Sequence, residues 1–551
     1  MRKKLFTKIA VIVLSIMLCL PAVACGENNN EVTGQTLNIY LLEQGYGRDW
    51  LTNTIASFKE QSWVKEKYPQ LEIKTTINDD VTFASSQMGL EKKNKYDILF
   101  GSLLNGYYGS DRLVNLTEKV YNAKIPGENV TYGEKLNETS KGAFAYYDIN
   151  SPTGEPEYYA VPYFGGMAGF IYNVEALASY NLEVPRTTDE FYRVAVTIRD
   201  ANKAKYANND ASAQYVFQQS NDAPYWQKHG FETWWVQYEG VDAYDDFYNG
   251  IVNDQRSVDI FKQKGRLESL KIFEKLLNYD EQFVNPSSFN EKFMPAQTAF
   301  MQGSAVFHFN GDWFTDEMKE IKQSLVSAGK TIPTLKMMKT PIISSIVEKC
   351  TTITGENGGT ADAELSALVK AIDAGSTALS GEGYNVNQKD FDKVYEARRI
   401  VVSTNSGADS LASAVIPSVS DAQDLAVDFL LFMASDEGIK QYCKGASGAT
   451  IDFIFNLKES APELYESLEP LHRDRIDYML NSENPAIVLK DRTGYPLSVY
   501  GNVKPFIDTQ YYGVFVAKGN KVTAQDFYDN TIKQWTPAAW EKALQAAGLA
   551  V

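Results

Sequence analysis

Thr36-Leu37-Asn38-Ile39-Tyr40-Leu41-Leu42 alternates Leu37, Ile39 and Leu41 at the two-residue period of a strand. Outward from it, Leu51, Ile55 and Phe58 recur at helical spacing, Leu71, Ile73 and Thr75 alternate again, and Tyr96 to Phe100 forms a short run ending at Gly101. Strand, helix, strand and strand, with helical stretches between, predict an α/β fold on a parallel sheet. Further along, Thr187 with Glu190 and Ser420 with Gln423 carry capping-box spacing ahead of apolar helical repeats. Thr536-Pro537 opens a last helix bearing Trp540 and Leu544. The aromatic-rich stretches 200–330 and 440–520 are harder to assign by period.

The chain opens with Met1-Arg2-Lys3-Lys4, and Ile9 to Ala24 is uncharged. That run is shorter than the about 20 residues needed to span hydrocarbon, and with Ala22 and Ala24 before Cys25 it predicts an export signal over 1–24. Ala22-Val23-Ala24-Cys25 resembles a lipobox, with Ala22 in place of the usual leucine. Acylation of Cys25 would anchor the protein to a membrane without a transmembrane helix. Residues 25–34, with three consecutive asparagines, read as a flexible linker.

The remainder is too long for one core and is expected to form two or more domains. Lys and Arg number 53 against 70 Asp and Glu, a net charge of -17, which argues against nucleic acid as a partner. Cys350 and Cys443 are the cysteines left after Cys19 and Cys25, enough for one disulfide but no disulfide scaffold.

Catalytic and metal signatures are missing. His229, His308 and His472 are too scattered for a histidine-based zinc site and read as structural or surface residues. No phosphate-binding or dinucleotide glycine loop is found. Gly445-Ala446-Ser447-Gly448-Ala449 lacks the final glycine of a nucleophile elbow. Asp242, Asp245 and Asp246 do not have EF-hand spacing and read as a solvated loop. No cofactor or metal is expected. Paired carboxylates across a cleft, as in a glycosidase, stay open as an alternative.

Four segments taken together are more specific: Thr36 to Trp50 with Glu43, Gly45, Tyr46 and Gly47; Tyr159 to Asn173 with Tyr163-Phe164-Gly165-Gly166; Phe300 to Trp313, ending Asn310-Gly311-Asp312-Trp313; and Ala414-Val415-Ile416-Pro417 with the helix that runs to Gly438. In this order the chain resembles the extracellular solute-binding proteins of ABC importers, in the sugar-binding branch related to maltose-binding protein. The resemblance implies a two-lobe periplasmic-binding-protein-like fold, a venus flytrap of α/β lobes around a central cleft. It implies lobes of 35–165 with 333–438 and of 166–332 with 439–551. It further implies a non-enzymatic, monomeric lipoprotein on the extracellular face of the bacterial cytoplasmic membrane, with a carbohydrate ligand and ABC permease subunits as partners. A non-sugar polar solute is the other ligand class left open.

Sugar sites combine aromatic platforms with side chains that make several hydrogen bonds. In the resembling family the position of Trp313 stacks on a sugar ring. Asp312 is positioned to accept hydroxyl hydrogen bonds or to cap the next helix. Tyr163 and Phe164 precede Gly165 and Gly166, whose backbone freedom suits a hinge. Glu43 and Tyr46 follow the first strand, where open α/β sheets bind ligands. Trp234 and Trp235, near Trp226 and Tyr238, would face opposite ways on a strand and send one indole to the cleft; on a helix neither need touch ligand.

Overall fold

A computed structural model describes residues 35–80, 82–89, 94–101, 104–147, 155–220, 226–356, 359–376, 386–403, 412–447, 449, 451–479, 486–489, 514–546 and 549. The predicted signal, linker and Cys25 lie outside the described residues. The strands are β1 (Thr36–Leu42), β2 (Glu72–Asn78), β3 (Ile98–Phe100), β4 (Val161–Pro162), β5 (Met167–Asn173), β6 (Tyr215–Gln218), β7 (Ile251–Val252), β8 (Gln255–Arg256), β9 (Ala305–Gly311), β10 (Leu335–Met338), β11 (Ile400–Ser403), β12 (Ser413–Val415) and β13 (Ile487–Leu489).

The first sheet has the order β2-β1-β3-β12-β4. β1 is parallel to β2, with Leu37 opposite Ile73, and parallel to β3, with Ile39 opposite Ile98. β12 runs antiparallel to both its neighbours, so the sheet is mixed rather than wholly parallel. The alternation in β1 understates its burial. Tyr40, on the face opposite Leu37 and Ile39, is also fully buried and stacks on Phe83 at 4.8 Å between ring centroids. A strand covered on both faces belongs to a sheet flanked by helices on each side. The helix Asp49–Glu60 supplies one cover through Phe58, whose ring meets Phe429 and Phe432 of the helix Gln423–Met433 at 5.2 and 5.4 Å.

The second sheet has the order β13-β11-β5-β9-β6, and β10 also pairs with β5. β5 and β9 are antiparallel with Phe170 opposite Phe309. β10 and β11 share the other edge of β5: Met338 faces Phe170 and Val402 faces Ala168. Phe170, Phe191, Phe217, Trp234, Phe273 and Phe309 form its aromatic core, closed over by the helices Thr188–Ala207, Trp226–Glu239 and Lys264–Leu277. The whole is a two-lobe α/β molecule built on these two mixed sheets, with β7 and β8 paired antiparallel as a separate hairpin.

The chain leaves the first sheet at Pro162 and enters the second at Met167. The expected division departs from the structure after that point. Residues 333–403, expected in the first lobe, supply β10 and β11 and the helices Ala361–Asp373 and Gln388–Arg399, whose apolar faces join the second core. The open edge of β5 selects these strands, and edge pairing leaves no mark in sequence. Residues 439–453, expected in the second lobe, pack on the first. The helix Asp436–Gly445 lies against the helix Asp49–Glu60, and Phe453 bridges to Leu136. The return to the second body follows, where the helix Pro470–Met479 lies beside β10 and Tyr478 donates to the Met337 carbonyl at 3.2 Å.

The caps also divide. Thr187 Oγ1 accepts from the Glu190 amide at 3.2 Å and Thr536 Oγ1 from the Ala539 amide at 3.2 Å, as their spacing predicts. Ser420 does not cap the helix Gln423–Met433: its hydroxyl accepts from the Ala422 amide and donates to Asp97 at 2.6 Å, tying that turn to β3. Cys350 and Cys443 are both free thiols, held in different cores, so the disulfide that their number allowed is not made. Asp242, Asp245 and Asp246 lie on the helix Val241–Asn249 rather than in a loop.

Candidate functional site

The loop after β1 and the turn after β9 meet where the bodies join. Tyr46, from the first, donates its hydroxyl to Asp312 Oδ1, from the second, at 2.6 Å. The other carboxylate oxygen of Asp312 pairs with Arg475 Nε at 2.5 Å, and both side chains are 0 % exposed. Arg475 also donates through Nη2 to the Gly165 carbonyl at 2.7 Å, so one guanidinium binds the crossover and the carboxylate together. Burial pushes the Asp312 carboxyl above its ordinary range, while Arg475, Tyr46 and the Met167 backbone oppose the shift. A buried pair of this kind fixes geometry more surely than it adds stability, and removing either partner strands a charge.

Aromatic rings continue the seam inward. Tyr46 meets Phe164 at 5.2 Å, Phe164 meets Tyr163 at 5.0 Å, and Tyr163 meets Trp50 at 5.7 Å. Tyr163 and Phe164 are buried, and the Tyr163 hydroxyl accepts from Gln44 Nε2 at 3.0 Å. Trp313 is the partly exposed member, and it packs against both cores. Its ring lies so close over Gly311 that a Cβ there would fall 1.8 Å from it, and a Cβ on Gly45 would stand 3.1 Å from the Trp313 Cβ. Glu43 is more open, with its side chain 39 % exposed and 3.8 Å from Arg48.

Six of the eight sequence-predicted residues, Trp313, Asp312, Tyr163, Phe164, Glu43 and Tyr46, are thus brought to one region. Trp234 and Trp235 are not. They lie on the helix Trp226–Glu239, both 0 % exposed, and their indole N–H groups are satisfied by the Pro341 carbonyl at 2.9 Å and by Gln263 Oε1 at 2.7 Å. Helical geometry lets two adjacent indoles sink into one core between several covering elements, which corrects the expectation of a ligand role for either. The side chains of Trp226 and His229 lie outside the described residues. His308 is buried in β9, with Nδ1 2.6 Å from the Gln218 carbonyl, and His472 is buried beside Asp312. Burial holds both imidazoles down at about 4.

Gly165 has a different reason for being glycine than the hinge freedom expected of it. Its φ is not left-handed, and a Cβ would stand 1.9 Å from Asp452 Oδ1. Arg475 and Asp452 are the residues that sequence reasoning missed. They come from a charged stretch, Leu471-His472-Arg473-Asp474-Arg475, and from an unmarked loop, and no motif sets them apart. Among the described residues no group of His, Cys, Asp and Glu side chains is arranged to hold a metal, and no helix is long and apolar enough to cross a membrane.

Residues 49–440, more than half of the chain and including Tyr163, Phe164, Asp312 and Trp313 of this seam, match the family model of the bacterial extracellular solute-binding proteins. The chain belongs to that family. Solved structures agree with the fold of this solute-binding protein at low identity. One, from work on xylan utilization by the thermophilic bacterium Caldanaerobius polysaccharolyticus, is 13 % identical with a TM-score of 0.54 over 91 % of this chain and 100 % of that one. A probable secreted solute-binding lipoprotein of Streptomyces coelicolor is 13 % identical with a TM-score of 0.54 over 91 % and 98 %. The GacH receptor of Streptomyces glaucescens, solved unliganded and with acarbose, is 13 % identical with a TM-score of 0.52 over 93 % and 98 %. Among curated proteins none matches the chain.

Proposed function

We propose that this solute-binding protein captures a carbohydrate, an oligosaccharide, between its two bodies and delivers it to the permease subunits of an ABC importer. The observation that carries the reading is Trp313, a partly exposed indole in contact with both cores, at the seam of a chain whose family binds extracellular solutes. A ring so placed can lie against the C–H face of a sugar and be covered as the bodies approach. Glu43 offers an accessible carboxylate in the loop after β1, two residues before the Gly45 that Trp313 packs on, whereas Asp312, Tyr46, Tyr163 and Phe164 serve as the floor that positions Trp313. GacH, of similar fold, binds acarbose, which supports a carbohydrate ligand here.

In this reading the lobes are 35–165 with 412–455, and 166–403 with 469–546, following sheet membership and, for the helix Pro470–Met479, its place beside β10. The protein acts as a monomer without catalysis, anchored through acylated Cys25 on the extracellular face of the cytoplasmic membrane. Incubation with a panel of oligosaccharides, followed by chromatography and calorimetry, tests capture. Unchanged ligand bound at one equivalent per chain is expected, and sustained product formation would replace capture by glycoside hydrolysis. Labelled palmitate is expected to enter the protein and to be absent from Cys25→Ser.

A further inference from the structure

The turn after β9 carries a second carboxylate that the seam described so far does not use. Asp316 follows Asp312 by four residues, in the helical turn Phe314–Glu317, near enough for the two charges to act on each other. Each is met by a hydroxyl of the other body: Tyr46 donates to Asp312, and Ser447 donates to Asp316. Ser447 is held there with a left-handed backbone, φ 48°, just past the helix Asp436–Gly445. That helix is seated firmly on the first body, since a Cβ on Gly445 would fall 2.3 Å from the Trp50 nitrogen.

The two carboxylates differ in their countercharge. Arg475 pairs with Asp312, whereas Oδ2 of Asp316 is shielded from solvent and has no hydrogen-bond partner among the described residues. Of the charged groups around Asp316, Asp312 and Glu469 disfavour its ionisation and Lys319 favours it. Lys322 is taken up by Glu469 at 2.6 Å. His472 lies against the Asp312 backbone, and Arg475 is committed to the Asp312 carboxylate.

We propose that closure of the two bodies on each other is coupled to uptake of one proton by Asp316, so that the closed form is favoured in acid and loosens towards neutral pH. This rests on the reading that the bodies open and close around a solute. In the open form Asp316 parts from Ser447, meets water and ionises as an ordinary carboxylate. Closing strips water from Oδ2 and supplies it no partner among the described residues, and burial, opposed by the Ser447 hydrogen bond to the other oxygen, holds the Asp316 carboxyl up at about 7. Closing therefore takes up a proton between the ordinary carboxylate range and about pH 7. Within that window each unit of rising pH lowers the closed-to-open ratio by up to about tenfold, and above it both forms are ionised and the dependence levels off. The His472 shift has the opposite sense; it comes from burial, and the groups that act on it, Arg475, the Asp312 backbone and Lys322, all belong to its own body.

X-ray scattering of the full chain between pH 5.5 and 8 tests the coupling. The radius of gyration of the ligand-free protein is expected to grow as pH rises, Asp316→Asn to stay compact throughout, and Ser447→Ala to be expanded already at pH 5.5. The same pH response in Asp316→Asn as in the wild type overturns the proposal, and so does a wild-type radius that does not change with pH. Adding maltotetraose, xylotetraose, chitotetraose or raffinose separates the two readings. If a sugar compacts the protein while pH does not, capture stands and proton coupling falls; if neither does, both fall.

Discussion

At the scale of the residue, Trp313 and Tyr46 have separable tasks. Trp313 is half-buried and touches both cores, so Trp313→Ala is expected to cost about 1 to 3 kcal/mol of sugar affinity, roughly a 5- to 150-fold rise in Kd by calorimetry. A collapsed melting temperature with unchanged affinity would make it a core residue instead. Tyr46→Phe removes a single hydroxyl and leaves Asp312 Oδ1 buried without that donor, which is expected to lower stability by about 1 to 3 kcal/mol in urea titration. Trp234→Ala serves as the contrast. Its indole fills the second core, so about 3 to 5 kcal/mol of stability should be lost, with ligand affinity unchanged in the folded fraction.

At the scale of the element, the crossover between β4 and β5 depends on close approach rather than on backbone freedom. Gly165→Ala drives a methyl into Asp452, whose Oδ2 accepts from Ser140 at 2.9 Å, and is expected to lower the denaturation midpoint by the equivalent of about 1 to 3 kcal/mol. β9 carries a different dependence. His308 joins it to the end of β6 while buried and neutral, with its imidazole held down at about 4. The unfolded chain takes up that proton first, near pH 6.5, so stability falls as pH drops from about 6.5 towards 4, by up to about 1.4 kcal/mol per pH unit. Melting curves of His308→Gln across this range should show a flatter acid limb than those of the wild type.

At the scale of the whole molecule, the two bodies meet through the buried Tyr46, Asp312 and Arg475 contacts and through an apolar cluster that draws on both, with Tyr163 and Phe164 from one and Phe314 and Met318 from the other. A sugar that binds should reduce the radius of gyration and shift tryptophan emission as Trp313 loses water; identical scattering curves with and without a tightly bound sugar would argue against closure. The sequence by itself determined the α/β class, because the periods of β1 and of the helix Asp49–Glu60 are local properties of hydrophobic placement, visible without a partner. It determined much of the seam as well, since Tyr46, Tyr163, Phe164, Asp312 and Trp313 lie at the ends of strands, where chain turns gather. Tertiary structure alone decided which strands complete each sheet, that Trp234 and Trp235 belong to a core, and that Arg475 and Asp316 belong to the seam. Strand-edge pairing, the sinking of an apolar ring and the meeting of a buried carboxylate with its countercharge are contacts across hundreds of residues. No local pattern encodes them, because their energy depends on what the rest of the chain brings within reach.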